Sequence, residues 1–333
     1  MRNMPYDDES PENAVSRETD EPVSIRLRTA GDIASLENDF TTEATPLAAA
    51  AEHTLLARGA AGSRPPMPRP ASTRVIVSAN QKGGVGKTTS TVNIAAALAQ
   101  LGQKVLVIDL DPQGNACTAF DVDHYQGTPG TYEVLVEGAS LADVVVPVPK
   151  LEGLELVPAT IDLAGAEVEL VEEDGREQRL KEALAKSPRV GDAEDRWDYV
   201  LIDCPPSLGL LTVNALVAST EVMIPIQAEY YALEGLGQLL KTVEMVRAAL
   251  NPTLRVSSML ITMYDARTRL ASQVAEEVRE HFGDTVMRTF IPRAVRVSEA
   301  PSFGQTVMTY DPGSPGALSY LEAAKELAKQ GEK

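Results

Sequence analysis

The sequence predicts an α/β fold, a mostly parallel twisted sheet flanked by helices. Three observations lead there. From Thr73 onward, short β-branched runs alternate with longer amphipathic ones, as in strand-helix-strand units. Several short runs are almost wholly apolar, as strands covered on both faces must be. Apolar residues make up 44% of the 333-residue chain, enough for a sizeable core.

The elements follow in order. Residues 74–79 (RVIVSA) read as the first strand, and 87–100 as an amphipathic helix opening directly after a glycine-rich turn. Residues 104–109 (KVLVID) give the second strand. The stretch 114–148 is rich in Gly, Pro and Asp, which predicts loops with one short helix near 131–136. Further strands are expected at 154–157, 199–203, 221–226, 256–262 and 286–291. Further helices are expected at 167–186, 210–218, 234–250, 269–282 and 317–329. No internal repeat is visible.

Ahead of this lies a different composition. Residues 1–72 hold seven Arg and no Lys against twelve Asp and Glu, and end in the proline-rich SRPPMPRPAS. Large apolar residues there are too few and irregular to offset ordering entropy, so 1–72 is expected to be a disordered acidic tail, with 41–58 able to form a transient helix. It shows no helix-turn-helix pattern. Residues 73–333 are expected to form one domain.

Charge and composition exclude several functions. Two cysteines, Cys117 and Cys204, support neither a disulfide framework nor a zinc or iron-sulfur site. His53, His124 and His281 are isolated, so any metal should have oxygen ligands. No run of ~20 apolar residues could span a bilayer, and the N-terminus is acidic where a signal peptide would be basic. A cytoplasmic protein is expected. At a net charge of −18 the chain should be repelled by nucleic acid at long range, so DNA binding would need a local basic patch.

The most informative segment is VIVSANQKGGVGKTTSTVNIAAALAQ. A phosphate-binding loop needs glycines so that successive N–H groups can converge on one anion, with a helix N-terminus behind them. Lys82, Gly83, Gly84, Val85, Gly86, Lys87, Thr88 and Thr89 meet that need and are expected to hold the nucleotide, ATP. The Lys87 ammonium can reach the β- and γ-phosphates, and the Thr88 hydroxyl can ligate Mg²⁺. Lys82 is an extra lysine, five residues ahead of Lys87. It is badly placed for its own phosphates but able to cross a symmetric interface, which would tie catalysis to dimerisation.

Carboxylates gather behind the loop. Asp109 and Asp111 lie at the carboxyl end of the second strand, where open parallel sheets bind ligands, and suit a Mg²⁺-phosphate. Asp203 closes the apolar VLID as a Walker-B aspartate would, holding Mg²⁺ through its water shell.

The KGGVGKTT loop resembles that of the deviant Walker-A P-loop ATPases. With VLVIDLDPQGNAC, DYVLIDCPPSLGLLTVNAL, VMIPIQAEYYALEGL, ITMYDARTRLASQV and FIPRAVRVSEAPSFG, nearly all of residues 73–330 resembles the ParA/Soj chromosome- and plasmid-partitioning ATPases. The resemblance implies that Asp111 orients the attacking water while Asp109 shapes the site. It also implies that Pro292 and Arg293 lie near the adenine, with Met263 a neighbour. It further implies ATP-bound homodimers that load onto nucleoid DNA and are released when a ParB-like centromere-binding partner stimulates an otherwise slow hydrolysis.

A basic window fits that expectation. Residues 241–296 carry nine Lys and Arg against six Asp and Glu. Arg267, Arg269, Arg293 and Arg296 fall in loop-like segments and are the expected DNA phosphate contacts, whereas Arg279 should pair with a nearby helical Glu. Such contacts carry no sequence preference. A MinD-like ATPase or a ParA-like switch positioning a protein cargo or the division machinery is the alternative. The final helix, with Leu318, Leu321, Ala324 and Leu327 as a modest stripe, reads as core packing, so stable membrane association is not expected.

Overall fold

A computed structural model describes residues 66–229 and 234–330. The strands are β1 (Arg74–Ser78), β2 (Val105–Asp109), β3 (Val146–Pro147), β4 (Leu154–Val157), β5 (Tyr199–Asp203), β6 (Glu221–Gln227), β7 (Arg255–Tyr264) and β8 (Val286–Pro292). They form one sheet in the order β3-β4-β2-β5-β1-β6-β7-β8, parallel throughout except for the short β3–β4 pair.

Alternation along the central strands feeds two cores. Val75 and Val77 of β1 face one side while Ile76 faces the other, and Leu106 and Ile108 of β2 oppose Val105 and Val107. One face is covered by α1 (Lys87–Gln100), α2 (Asn115–Ala119) and the last helices, α9 (Val295–Glu299), α10 (Val307–Tyr310) and α11 (Pro315–Gln330). The other is covered by α3 (Leu141–Val144), α4 (Leu163–Glu169), α5 (Arg179–Lys186), α6 (Leu210–Ala218), α7 (Glu234–Ala249) and α8 (Arg269–Phe282). Leu321, Ala324 and Leu327 of α11 are buried in the first of these cores, so the C-terminal stripe is used for packing.

The structure departs from the sequence expectation in three places. The helix expected over 167–186 is two, because Glu173 is extended and Gly175 adopts φ +70°, a left-handed conformation that ends a helical run. The stretch 114–148 contains α2, α3, the edge strand β3 and a single π-turn at Glu133–Glu137, so it is more ordered than its Gly and Pro content suggests. Residues 66–72, expected in the tail, lie against the domain. The Met67 N–H donates to Leu101 O at 2.9 Å, the Gln103 amide donates to Met67 O at 2.8 Å, and Arg69 pairs with Asp198 at 2.6 Å. The rest of the expected tail, including the transient helix at 41–58, lies outside the described residues.

The chain leaves β1 toward β2 on one side of the sheet and later fills β6 on the other. A crevice therefore opens at the carboxyl end of β1, the usual ligand position in such sheets. Strand register brings Ser78, Asp203 and Asp109 into one row there.

Candidate nucleotide site

The loop between β1 and α1 is anchored to β6 and β7, the strands on one side of β1. The Asn80 amide donates to Pro225 O at 2.7 Å and its oxygen accepts from the Lys82 N–H at 3.0 Å. Thr262 on β7 donates to Val85 O at 2.7 Å, which holds the buried Val85 under the turn. Gly84 and Gly86 take φ +73° and +88°, conformations that side chains with a Cβ adopt only with strain. They leave the backbone curved around the mouth of a cleft of about 370 Å³.

That cleft brings together most of the residues expected to act. Gly83, Gly84, Gly86, Lys87, Thr88 and Thr89 line it, and so does Asp111. Lys87 is buried, with its ammonium donating to Lys82 O at 3.3 Å across the loop. Burial lowers the affinity of Lys87 for its proton, an effect opposed by the nearby carboxyl groups of Asp203 and Asp111.

Asp203 sits behind the loop, fully buried, with the Thr88 hydroxyl donating to its Oδ2 at 2.6 Å. Asp109, also fully buried, points inward. It accepts the Asp111 N–H at 3.0 Å and the Ala116 N–H at 3.2 Å, and so folds the turn that carries Asp111. Burial, with the mutual repulsion of neighbouring carboxylates, pushes Asp109 up to about 7 and Asp203 up to about 8. Asp111 holds its own turn by accepting the Gln113 N–H at 3.0 Å.

The donor set fits a hard cation shared with a phosphate. Among the described residues no three His, Cys, Asp or Glu side chains converge to hold a metal unaided. The Thr88 hydroxyl and the Asp203 carboxylate would therefore act together with water and phosphate oxygens, as magnesium sites usually do.

Other expected residues are placed differently. Lys82 is one-third exposed, its ammonium 3.7 Å from Glu229. Pro292 and Arg293 do not line the cleft; Met263 does, together with Pro301, which sequence reasoning missed. The reason is tertiary: the Arg293 N–H is tied to Tyr264 O at 3.1 Å, and its guanidinium is drawn to Glu229 at 3.3 Å.

The expected DNA contacts are mostly paired within the chain. Arg267 forks onto Asp265 at 2.9 and 2.8 Å and holds that carboxyl down to about 2. Arg296, in α9 rather than a loop, reaches Glu299 at 3.2 Å and Asp311 at 3.6 Å. Arg269 opens α8, exposed and without a carboxylate partner among the described residues. Arg279 does not pair with a helical Glu: it donates to Arg288 O at 3.3 Å and lies 4.4 Å over the Phe290 ring, because β8 passes beside its helix.

A glycine loop between a buried strand and a helix, with Lys87, Thr88 and Asp111 lining one cleft and Asp203 buried behind Thr88, defines a P-loop nucleotide-binding protein. Residues 73–256 match the family described as AAA domain. The sporulation initiation inhibitor protein Soj of Bacillus subtilis is 51% identical over 258 residues, 78% of this chain and 99% of that one. The chromosome-partitioning ATPase Soj of Thermus thermophilus is 51% identical over 257 residues, 77% and 96% of the two chains. Among solved structures, cobyrinic acid a,c-diamide synthase from Mycobacterium smegmatis with bound ADP and magnesium superposes with a TM-score of 0.67 at 39% identity, covering 78% of this chain and 96% of that one. The chain belongs to the ParA/Soj family of chromosome-partitioning ATPases.

Proposed function

We propose that the protein is an ATP-dependent switch for chromosome segregation: it hydrolyses ATP with Mg²⁺, dimerises in the ATP state, and in that state binds DNA without sequence preference. The observation that carries this reading is the cleft itself, lined by Lys87, Thr88 and Asp111 beside a loop with left-handed Gly84 and Gly86, with Asp203 held behind Thr88.

In this reading the loop N–H groups and Lys87 bind the phosphates. Thr88 and Asp203 hold the cation, which when bound neutralises phosphate charge as the γ-phosphoryl leaves. Asp111, in the lining of the same cleft, orients the attacking water. Lys82 leaves Glu229 and reaches the nucleotide of a second subunit. Its partial exposure and its long 3.7 Å contact support that role, since a loosely held ammonium is free to move.

Arg267, Arg269, Arg293 and Arg296 contact DNA phosphates, and a ParB-like partner stimulates a slow basal hydrolysis. The cell compartment is the cytoplasm, at the nucleoid. Burial of the α11 stripe favours this reading over a membrane-attached one, and no helix among the described residues is long and apolar enough to cross a membrane.

Co-sedimentation with non-specific duplex DNA, with ATP, with ADP and without nucleotide, at two salt concentrations, tests the proposal. Retention only with ATP, weakening steeply with salt, is expected. Equal retention in all three nucleotide conditions would overturn the nucleotide switch.

A further inference from the structure

Asp203 is fully buried, and hydroxyl groups of α1 hold both of its oxygens. Thr88 donates to Oδ2 at 2.6 Å. Thr91, itself fully buried and outside the cleft wall, lies within 3.2 Å of Oδ1. The two threonines are three residues apart and so share one face of the helix, the face turned toward the end of β5.

We propose that Thr91 is a positioning residue for the magnesium corner, acting through Asp203 on the Thr88 hydroxyl. The inference rests on the reading of this cleft as a magnesium-nucleotide site. A hydroxyl has a single proton. While Thr88 gives it to Asp203, its lone pairs are free to face the cleft, where a hard cation takes oxygen ligands. One hydrogen bond leaves a carboxylate able to rotate about its terminal torsion, whereas a second bond on the other oxygen fixes its plane. Thr91 supplies that second contact from within the same helix, so the direction of the Thr88 lone pairs is set before any ligand arrives.

A simpler role is open to Thr91. Its hydroxyl also lies 3.0 Å from Lys87 O, one turn back, a contact that buried helical threonines often make for local reasons alone. The two roles separate on magnesium. Fluorescent ADP is titrated into the full-length protein in EDTA and again in excess Mg²⁺, and the gain in affinity on adding the ion is compared among variants.

Thr91→Val, close in shape but without a hydroxyl, should bind ADP in EDTA as the wild type does and lose about fivefold of the magnesium gain, the worth of one hydrogen bond. Thr91→Ser should recover it. A Thr91→Val protein that keeps the whole gain, with or without a lower melting temperature, overturns the proposal. If valine prevents folding, Thr91→Ala is judged by the same gain. Thr88→Val serves as the reference: should it also keep the full gain, the magnesium reading of this corner is itself wrong.

Discussion

Lys87 and Asp111 both line the cleft, and the proposed function gives them different steps of one reaction. Lys87→Ala removes the buried ammonium proposed to bind the phosphates, so ATP affinity should fall at least tenfold by calorimetry, since a hydrogen bond to a charged group contributes ~1.5–3 kcal/mol. Asp111→Ala should leave binding within about threefold of wild type and slow single-turnover hydrolysis by about a hundredfold or more, the usual scale for losing a group that handles the attacking water. Hydrolysis at the normal rate in that variant would remove Asp111 from its role. These side chains were legible in the sequence because glycine loop, lysine, threonine and strand-ending aspartate each have a local signature. Pro301 and Thr91 had none: one is brought to the cleft by the turn after α9, and the other reads as an ordinary helical threonine.

The buried carboxylates also give the molecule a pH dependence. Asp109 and Asp203 are raised from an ordinary value of 3.8 to about 7 and about 8, so the folded state holds protons that the unfolded chain has lost. A raised value contributes stability below the unfolded pKa and loses it as pH climbs through the folded one. Ligand-free protein should therefore become less stable between about pH 5 and pH 8 in urea melts. Asp203→Asn should flatten that slope, and an unchanged slope would contradict the raised value at Asp203.

At the scale of elements, the segment before β1 behaves as part of the fold. Arg69 reaches the fully buried Asp198, whose other oxygen accepts the Lys104 N–H at 2.8 Å, and Arg69 also donates to Glu194 O at 3.1 Å. Because Arg69 is about one-third exposed, Arg69→Ala should cost about 2 kcal/mol, between the values of surface and buried ion pairs. The same change in an Asp198→Asn background should cost clearly less. Additive effects in denaturant melts would show that the pair is not coupled. Sequence reading placed this segment in the tail because its prolines and sparse apolar residues look unfoldable, and its one anchoring charge meets a partner 129 positions away. The break between α4 and α5 lies in the polar run 172–179, where the extended Glu173 and the left-handed Gly175 end the helical run.

At the scale of the whole molecule, the proposed DNA binding by an acidic chain would have to use a small basic surface, and two of its arginines already contact the chain's own carboxylates. Arg267 and Arg296 each have acidic partners within 4 Å, so phosphate must compete with Asp265, Glu299 and Asp311. Arg267→Glu or Arg296→Glu should therefore abolish detectable DNA retention in 100 mM salt, on the order of physiological ionic strength, while light scattering still reports an ATP-dependent dimer. A variant that loses both would place these arginines in the fold or the interface instead. Lys82→Ala, by contrast, should bind ATP and remain a monomer by the same measurement. A normal dimer would remove the need for a cation in trans.

The sequence alone determined the layered α/β architecture, the phosphate loop and the aspartates at the strand ends, because each depends on short-range periodicity or on a motif contained in about ten neighbouring residues. Only the tertiary structure decided which other residues wall the cleft, that Asp109 turns inward while Asp111 lines the cleft, and that Arg293 and Arg296 of the basic window meet acids from other segments. Those outcomes depend on register between strands and on loops meeting across long sequence separations. No local pattern encodes such meetings; they arise when burial of two apolar faces brings the strand ends together.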